Sequence, residues 1–182
     1  MTARLEVMAV DVVPRQLTDF LRSLRAVREF ERKPVPEDVV RDVLEVARWS
    51  GSASNRQFAQ IIVIRQRPTL EALATLPGYV GHLRGAALAM LLVMPGEWPE
   101  GETFDEGRLA ERIMLAAWAH GVGSSIGWLS PEGRDKVKQL LSVPGKQIIR
   151  TAISLGYPAH APRRGQRKPV NELVHEERFR PS

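Results

Sequence analysis

Arg25 and Arg28 stand three residues apart beside Phe30, in the run RAVREF. On a helix that spacing puts both guanidiniums on one face, where they can bracket a phosphate or sit against an electron-rich ring edge. An ordinary solvated face is the competing account of the same two residues. A second candidate is SGSASNRQ, Ser50–Gln57, which leads into the apolar run Ile61–Ile64. Three serines, two amides and an arginine exceed what a plain turn requires, so this loop is expected to meet a ligand. The third is GVGSSIGW, Gly121–Trp128, either a plain glycine-rich helix exit or a loop whose small residues let its backbone approach a flat ligand closely. Read as G-x-G it hints at dinucleotide binding, but that fingerprint follows a strand and opens a helix, and here a helix precedes it. Read as a nucleophile elbow it offers Ser125 as an attacking hydroxyl, with Asp135 and His160 or His175 in the matching chain order; the strand-to-helix context is again missing. The basic stretch Arg163, Arg164, Arg167 and Lys168 is either a phosphate clamp or a solvated tail. His82, His120, His160 and His175 have no metal-ligand spacing, so no metal site is expected.

These candidates need a frame. Residues 14–30 carry Leu17, Phe20, Leu21, Leu24 and Val27 at spacings of three and four, which predicts an amphipathic helix. Pro34-Val35-Pro36 breaks it. A second helix starts at Pro36 and runs to about Trp49, with Val39, Val40, Val43, Leu44 and Ala47 inward. Ile61–Ile64 reads as a strand apolar on both faces and hence central in its sheet. A short helix near Thr69–Thr75 and a buried strand, Ala87–Met94, follow. Gly96–Glu102 reads as a turn-rich acidic loop, and Glu97–Glu106, with Trp98 and Phe104, as either a cover over a cleft or an ordinary surface loop. A long, mostly buried helix is expected from Asp105 to a stop at Gly121. Ser130-Pro131 opens a further helix packed by Val137, Leu140 and Leu141. Ile149, Thr151, Ile153 and Leu155 alternate as a third strand. Long helices with few strands in irregular order predict an α+β architecture.

Composition narrows the class. A chain of 182 residues suits one domain, and 43% hydrophobic with 26% charged residues is the balance of a soluble globule. The absence of cysteine excludes disulfide and thiolate chemistry and fits a cytoplasmic setting. MTARLEVMAV is too short and too broken by Arg4 and Glu6 for a signal peptide. The longest apolar run, Ala86–Pro95, is about half of what spans a bilayer, so no membrane partner is expected. A net charge of +5 favours an anionic partner, but the basic residues lack interleaved aromatics, which argues against nucleic acid.

Taken in order, five segments are more specific than any one alone. RAVREF with PVP (Arg25–Phe30, Pro34–Pro36), SGSASNRQ (Ser50–Gln57), FDEGRLAERIMLAA (Phe104–Ala117), GVGSSIG (Gly121–Gly127) and LGYP with RKP (Leu155–Pro158, Arg167–Pro169) resemble the FMN-dependent nitroreductase family over residues 17–179. The resemblance implies an α+β three-layer sandwich, a central mostly antiparallel sheet flanked by helices, in an interlocked homodimer. Residues 1–16 would be an N-terminal extension, and 17–182 one FMN-binding domain with a C-terminal arm. FMN would lie in clefts at the subunit interface. NADH or NADPH would reduce it, and a nitroaromatic, quinone or related small molecule would take the electrons in ping-pong fashion.

The resemblance implies no catalytic side chain, because the flavin N5 carries the chemistry. Matched by position, Arg25, Ala26 and Arg28 would contact FMN, with Arg28 near the flavin pyrimidine and ribityl chain. Ser52, Ala53, Asn55 and Gln57 would supply amides and hydroxyls; Ser125, Ile126 and Gly127 would meet the ring edge; Arg167 would pair with the phosphate. The chain departs from the pattern at four places. The usual APS reads SGS, with Gly51 for proline and less stiffness expected; the usual QPW reads Gln57-Phe58-Ala59. Leu24 stands where many members have a phosphate-binding arginine, and Ala26 replaces a serine, which shifts the phosphate to Arg25, Arg167 and Arg22. These departures motivate an alternative, a non-catalytic FMN-binding or sensing module on the same scaffold. A serine hydrolase using Ser125 is the remaining alternative.

Overall fold

In a computed structural model that describes residues 13–163 and 165–179, four strands form one sheet: β1 (Gln60–Ile64), β2 (Leu88–Met94), β3 (Gly123–Trp128) and β4 (Ile148–Gly156). Their order is β1-β2-β4-β3, antiparallel throughout. Every residue of β2 is buried, and all but the first of β4. These two are the central strands. The expectation that Ile61–Ile64 is central is therefore corrected: β1 is an edge strand. Its two apolar faces reflect two covering layers. Ile61 and Val63 pack toward α2 (Glu37–Arg48) and α4 (Pro99–Ala119), whereas Ile62 and Ile64 pack on the other side. Apolarity on both faces reports how many layers a strand separates, not its place within the sheet.

The first core joins Val40, Val43 and Ala47 of α2 and Leu109, Ile113 and Ala117 of α4 to Met90, Leu92 and Ile153 of the sheet. The second sets Leu70 and Leu73 of α3 (Arg67–Ala74) and Val137 of α5 (Pro131–Leu140) against Ala89, Leu91 and Ala152. Helix, sheet and helix make three layers, so the α+β sandwich is the observed fold. Ser130 caps α5 as its sequence predicts, its hydroxyl accepting from the Gly133 amide at 3.2 Å. Gly121 ends α4 at φ +70°. Among the described residues no helix is long and apolar enough to cross a membrane. Residues 1–12 of the expected N-terminal extension, and Arg164, lie outside the described residues.

Three further expectations are corrected. The helix predicted over 14–30 is α1 (Pro14–Ser23) alone; Leu24 turns extended, and Arg25 closes the helix by donating from Nη1 to the Arg22 and Leu24 carbonyls, both at 2.7 Å. The glycine-rich Gly123–Trp128 is a strand rather than a loop. The acidic segment 97–106 is mostly helix rather than loop, because α4 already begins at Pro99. Proline in the first turn and two acidic residues, Glu100 and Glu102, suit a helix start. Glu102 then reaches back to accept from the amides of Gly96, Glu97 and Trp98 at 3.0, 2.7 and 2.9 Å.

Beneath that start lies a buried charged cluster. The register slips between Leu92 and Val93, whose partners on β4 are Thr151 and Ile149, so Arg150 is the extra residue of a β-bulge. A bulge re-aims a side chain. Here it sends Arg150, 5% exposed, under α4, where it meets Glu106 at 3.2 Å, Glu102 at 3.7 Å and the Thr103 hydroxyl. Despite the ion pair, burial pushes the Glu106 carboxyl up to about 7; a hydrogen bond from Thr151 and the charges of Arg150 and Arg134 only partly oppose it.

The folded protein holds the Glu106 proton from pH 4.5, where the free side chain releases it, to about 7, so stability falls as pH rises through that window. Glu106→Gln is expected to flatten the fall and to exceed the parent by up to about 3 kcal/mol at pH 8. Urea unfolding from pH 4 to 8 checks this; parallel curves for the two proteins would refute it.

Candidate functional site

Two glycines bring the candidate segments together. After α1 the chain crosses the open ends of β3 and β4, with Val27 over Gly123 and Phe30 over Gly156. A Cβ at Gly123 would stand 2.7 Å from Val27 Cβ, and one at Gly156 would stand 2.9 Å from the Phe30 ring. The crossing is pinned by backbone bonds: Val27 donates to Ser124 at 2.8 Å, Glu31 to Tyr157 at 2.9 Å and Ala159 to Glu29 at 3.0 Å. RAVREF, GSSIG and LGYP thus meet at one corner of the sheet.

That corner opens into a groove of about 650 Å³ lined by Arg25, Ala26, Arg28, His160, Arg163 and Arg167. A second hollow of about 490 Å³, which includes Arg22 and Trp118, shares Arg25 with it. Four guanidiniums around one groove favour an anionic ligand. Arg25 is half-buried and its Nε is buried without a partner. Arg167 and Arg28 are exposed.

Among the described residues, backbone bonds occupy the outer edge of β3 at two points. Val27 takes the Ser124 carbonyl, and Tyr79 donates to the Trp128 carbonyl at 2.8 Å. Backbone groups alternate in direction along an antiparallel strand, so Ser124, Ile126 and Trp128 face outward while Ser125 and Gly127 face β4. Ile126, 41% exposed, therefore presents its amide and carbonyl between the two occupied points. Gly127 is needed there because Tyr79, Val80 and His82 crowd the place of its Cβ at 3.0–3.1 Å.

Ser125 itself is wholly buried, its hydroxyl on the side of Ser154. The elements of the hydrolase reading do not assemble. Asp135 pairs with Lys138 at 3.4 Å, His160 lies 3.7 Å from Glu29, and His175 sits against Phe179 at 4.6 Å. A sealed hydroxyl cannot attack a substrate.

The loop Ser50–Gln57 lies elsewhere, ahead of β1 and so at the opposite edge of the sheet. Three strand spacings, about 14 Å, separate the two edges. The structure thus gathers Arg25, Ala26, Arg28, Ser125, Ile126, Gly127 and Arg167 around one edge and sets Ser52, Ala53, Asn55 and Gln57 at the other. Within one chain the two groups do not meet.

The loop is shaped by its own contacts. Ser54, Asn55 and Gln57 adopt left-handed backbone with φ of 52°, 53° and 51°. The Gln57 amide donates to Ser52 Oγ at 2.9 Å, and the Ala53 amide donates to Asp105 Oδ2 of α4 at 2.8 Å. Beside it is a hollow of about 310 Å³ walled by Leu44, Ala47, Phe58, Ala59 and Leu109. Gly51 fits here for a local reason: the Arg108 guanidinium would lie 2.4 Å from a Cβ at that position. The space that a proline would fill holds an arginine instead. Leu24 packs on the first core, which leaves Arg22 and Arg25 at the groove.

Spacing did not single out Asp105, buried at 5% exposure, or His82. Asp105→Ala is expected to lose about 1–3 kcal/mol of stability and to free the loop, whereas Asp105→Asn, which keeps an acceptor, recovers most of both. Hydrogen exchange at the Ala53 amide reads the effect directly; unchanged protection in Asp105→Ala would refute it.

Comparison with known proteins gives a consistent likeness. A profile of the Nitroreductase family matches residues 21–80. A Thermus thermophilus protein named NADH dehydrogenase is 25% identical over 192 residues, covering 82% of this chain and 90% of its own. The oxygen-insensitive NADPH nitroreductase of Salmonella typhimurium is 26% identical over 173 residues, covering 86% and 72%. Among solved structures, an FMN-dependent nitroreductase of Clostridium difficile superposes with a TM-score of 0.80 at 22% identity, covering 88% of this chain and 98% of that one.

Proposed function

Because the chain belongs to the nitroreductase family, we propose that it is an FMN-dependent NAD(P)H oxidoreductase whose site is completed by a second copy of itself. One observation carries this reading: a groove of arginines meets an outward-facing strand edge at one side of the sheet, while the polar loop stands at the other. A partner's loop at each groove would unite the two halves. The α1 face bearing Leu17 and Leu21, 45% and 46% exposed, suits burial in such a pairing. In this reading residues 17–182 act as one flavin-binding domain with a C-terminal arm.

The residues present fit FMN. Arg25, with its partnerless buried Nε, and Arg167 would hold the phosphate, joined by Arg22 and Arg163. Arg28 would bring positive charge to the ring, and the Ile126 amide and carbonyl would meet its edge. Ser52, Ala53, Asn55 and Gln57 of the partner subunit would close the other side and exclude water. When bound, the flavin accepts a hydride from NADH or NADPH and passes two electrons to a nitroaromatic, quinone or similar small molecule. The residues' work is to bind, orient and polarise, with no dedicated acid or base required. Dependence on NAD(P)H fits a cytoplasmic setting.

Purified protein is expected to be yellow, to elute as a dimer, and to lose its flavin absorbance on anaerobic addition of NADH or NADPH. A colourless protein that takes up no added FMN would overturn the proposal. Bound flavin that neither nucleotide bleaches would favour a non-catalytic binding module.

A further inference from the structure

Directly behind β3 lies a histidine for which the flavin reading has no use. His82 sits in the turn Gly81–Gly85, which packs against the sheet on the α3 side. Its Nδ1 is 2.8 Å from Ser154 Oγ, and that hydroxyl donates to the Ser125 carbonyl at 3.3 Å. When the hydroxyl hydrogen is turned to the Ser125 carbonyl, Nδ1 carries the hydrogen that joins ring to serine; the rotor of Ser154 selects this tautomer. Nε2 is then the acceptor nitrogen, and it is buried without a partner. It points beneath Gly127, 3.1 Å from where a Cβ would stand. The carbonyls of Tyr79 and Ile126 border the ring, and neither can donate to a bare nitrogen. A proton on Nε2 would turn this mismatch into a hydrogen bond.

We propose that His82 is a positioning residue of the cleft, one that takes a proton from water when negative charge settles against Arg28 and then fastens the outer edge of β3 by donating to the Ile126 or Tyr79 carbonyl. The inference rests on the flavin reading of the groove. Burial and the Arg28 charge both hold the imidazole below its ordinary range, so in the free protein the ring is neutral. Arg28 is the charged group acting on it; Ser154 and the two carbonyls are its polar neighbours. An anion at Arg28 cancels the repulsion, and the two carbonyls then favour the charged ring.

Reduction of a bound flavin by a reduced nicotinamide supplies that anion. A hydride transferred to a bound ring would bring two electrons and one proton, and so leave the site one unit more negative beside Arg28. The nicotinamide leaves oxidised, and the compensating proton comes from water to His82. Ile126, whose backbone faces the ring edge in this reading, is thereby held more firmly when the ring is reduced.

The test follows the His82 ring by NMR in protein labelled at histidine. Three forms are titrated: flavin-free, loaded with oxidised FMN, and loaded then reduced anaerobically by NADPH. FMN uptake is read by absorbance in the same samples. The His82 midpoint should lie lowest in the flavin-free protein and rise by about one pH unit or more on reduction, a tenfold change in proton affinity. In flavin-free Arg28→Gln the midpoint should already be raised. His82→Gln, which keeps a group able to bond Ser154, should abolish the proton uptake that accompanies reduction. Failure to bind FMN sinks the functional reading, and the Arg28→Gln titration still decides the coupling. FMN uptake with a His82 midpoint unmoved by reduction overturns this inference alone.

Discussion

Arg150→Leu is expected to cost about 3–5 kcal/mol, a large part of the 5–15 kcal/mol that holds a typical domain. The residue projects from a bulge into the space under α4, where Glu102 and Glu106 are 1% and 2% exposed. Without the guanidinium, two carboxyls remain buried together with no cation between them. Glu102 also holds three amides at the start of α4, so its displacement would loosen that turn. The damage should spread along α4 to Asp105, and through its bond with Ala53 to the loop before β1. Replacing both Arg150 and Glu106 by leucine should be less harmful than Arg150→Leu, since a buried carboxyl leaves with the cation and apolar side chains fill the space. Urea denaturation of the two variants tests the ordering. A single variant as stable as the parent would show that the ion cluster does not support the fold.

Gly123→Ala is expected to weaken FMN binding at least tenfold and to destabilise the chain by about 1–3 kcal/mol. A methyl group at Gly123 would collide with Val27 at its Cβ, a part of the side chain that cannot swing aside. Either β3 or the crossing segment must move, and the crossing segment carries Arg25, Ala26 and Arg28. Gly156→Ala, which meets the Phe30 ring, should act in the same direction. Gly107→Ala is the control: open space surrounds that position on α4, so it should stabilise by about 0.5–1 kcal/mol and leave FMN affinity alone. Fluorescence titration with FMN would decide, and equal affinities at positions 107 and 123 would refute the argument.

Local signals were legible where the structure is local. The proline–valine pattern of α2 and the Ser130 cap of α5 act within a few residues, and both elements fall where their sequence puts them. The errors arose where distant contacts overrule local preference. Leu24 and Val27 continue a helical period by coincidence; the first packs on the core and the second covers Gly123, so the helix ends at Ser23. Gly123 and Gly127 weaken β3 as a strand on paper, yet each is a place vacated for a neighbour. Nothing in the sequence reveals that an edge strand will be covered on both sides, as β1 is. The groups around the cleft were readable as segments because each carries several polar or small residues together. His82, Asp105 and Arg150 were not, since each acts singly and through partners far away in the chain, Ser154, Ala53 and Thr103.

The three left-handed residues of the loop before β1 have a consequence for proteolysis. Each non-glycine residue in that region is strained by about 1–2 kcal/mol, and the loop ties them down with few hydrogen bonds. Arg56, exposed, sits between the second and third of them. Trypsin should therefore cut first after Arg56, splitting the chain into fragments of unequal mass, and a bound cofactor that braces the loop should slow that cut.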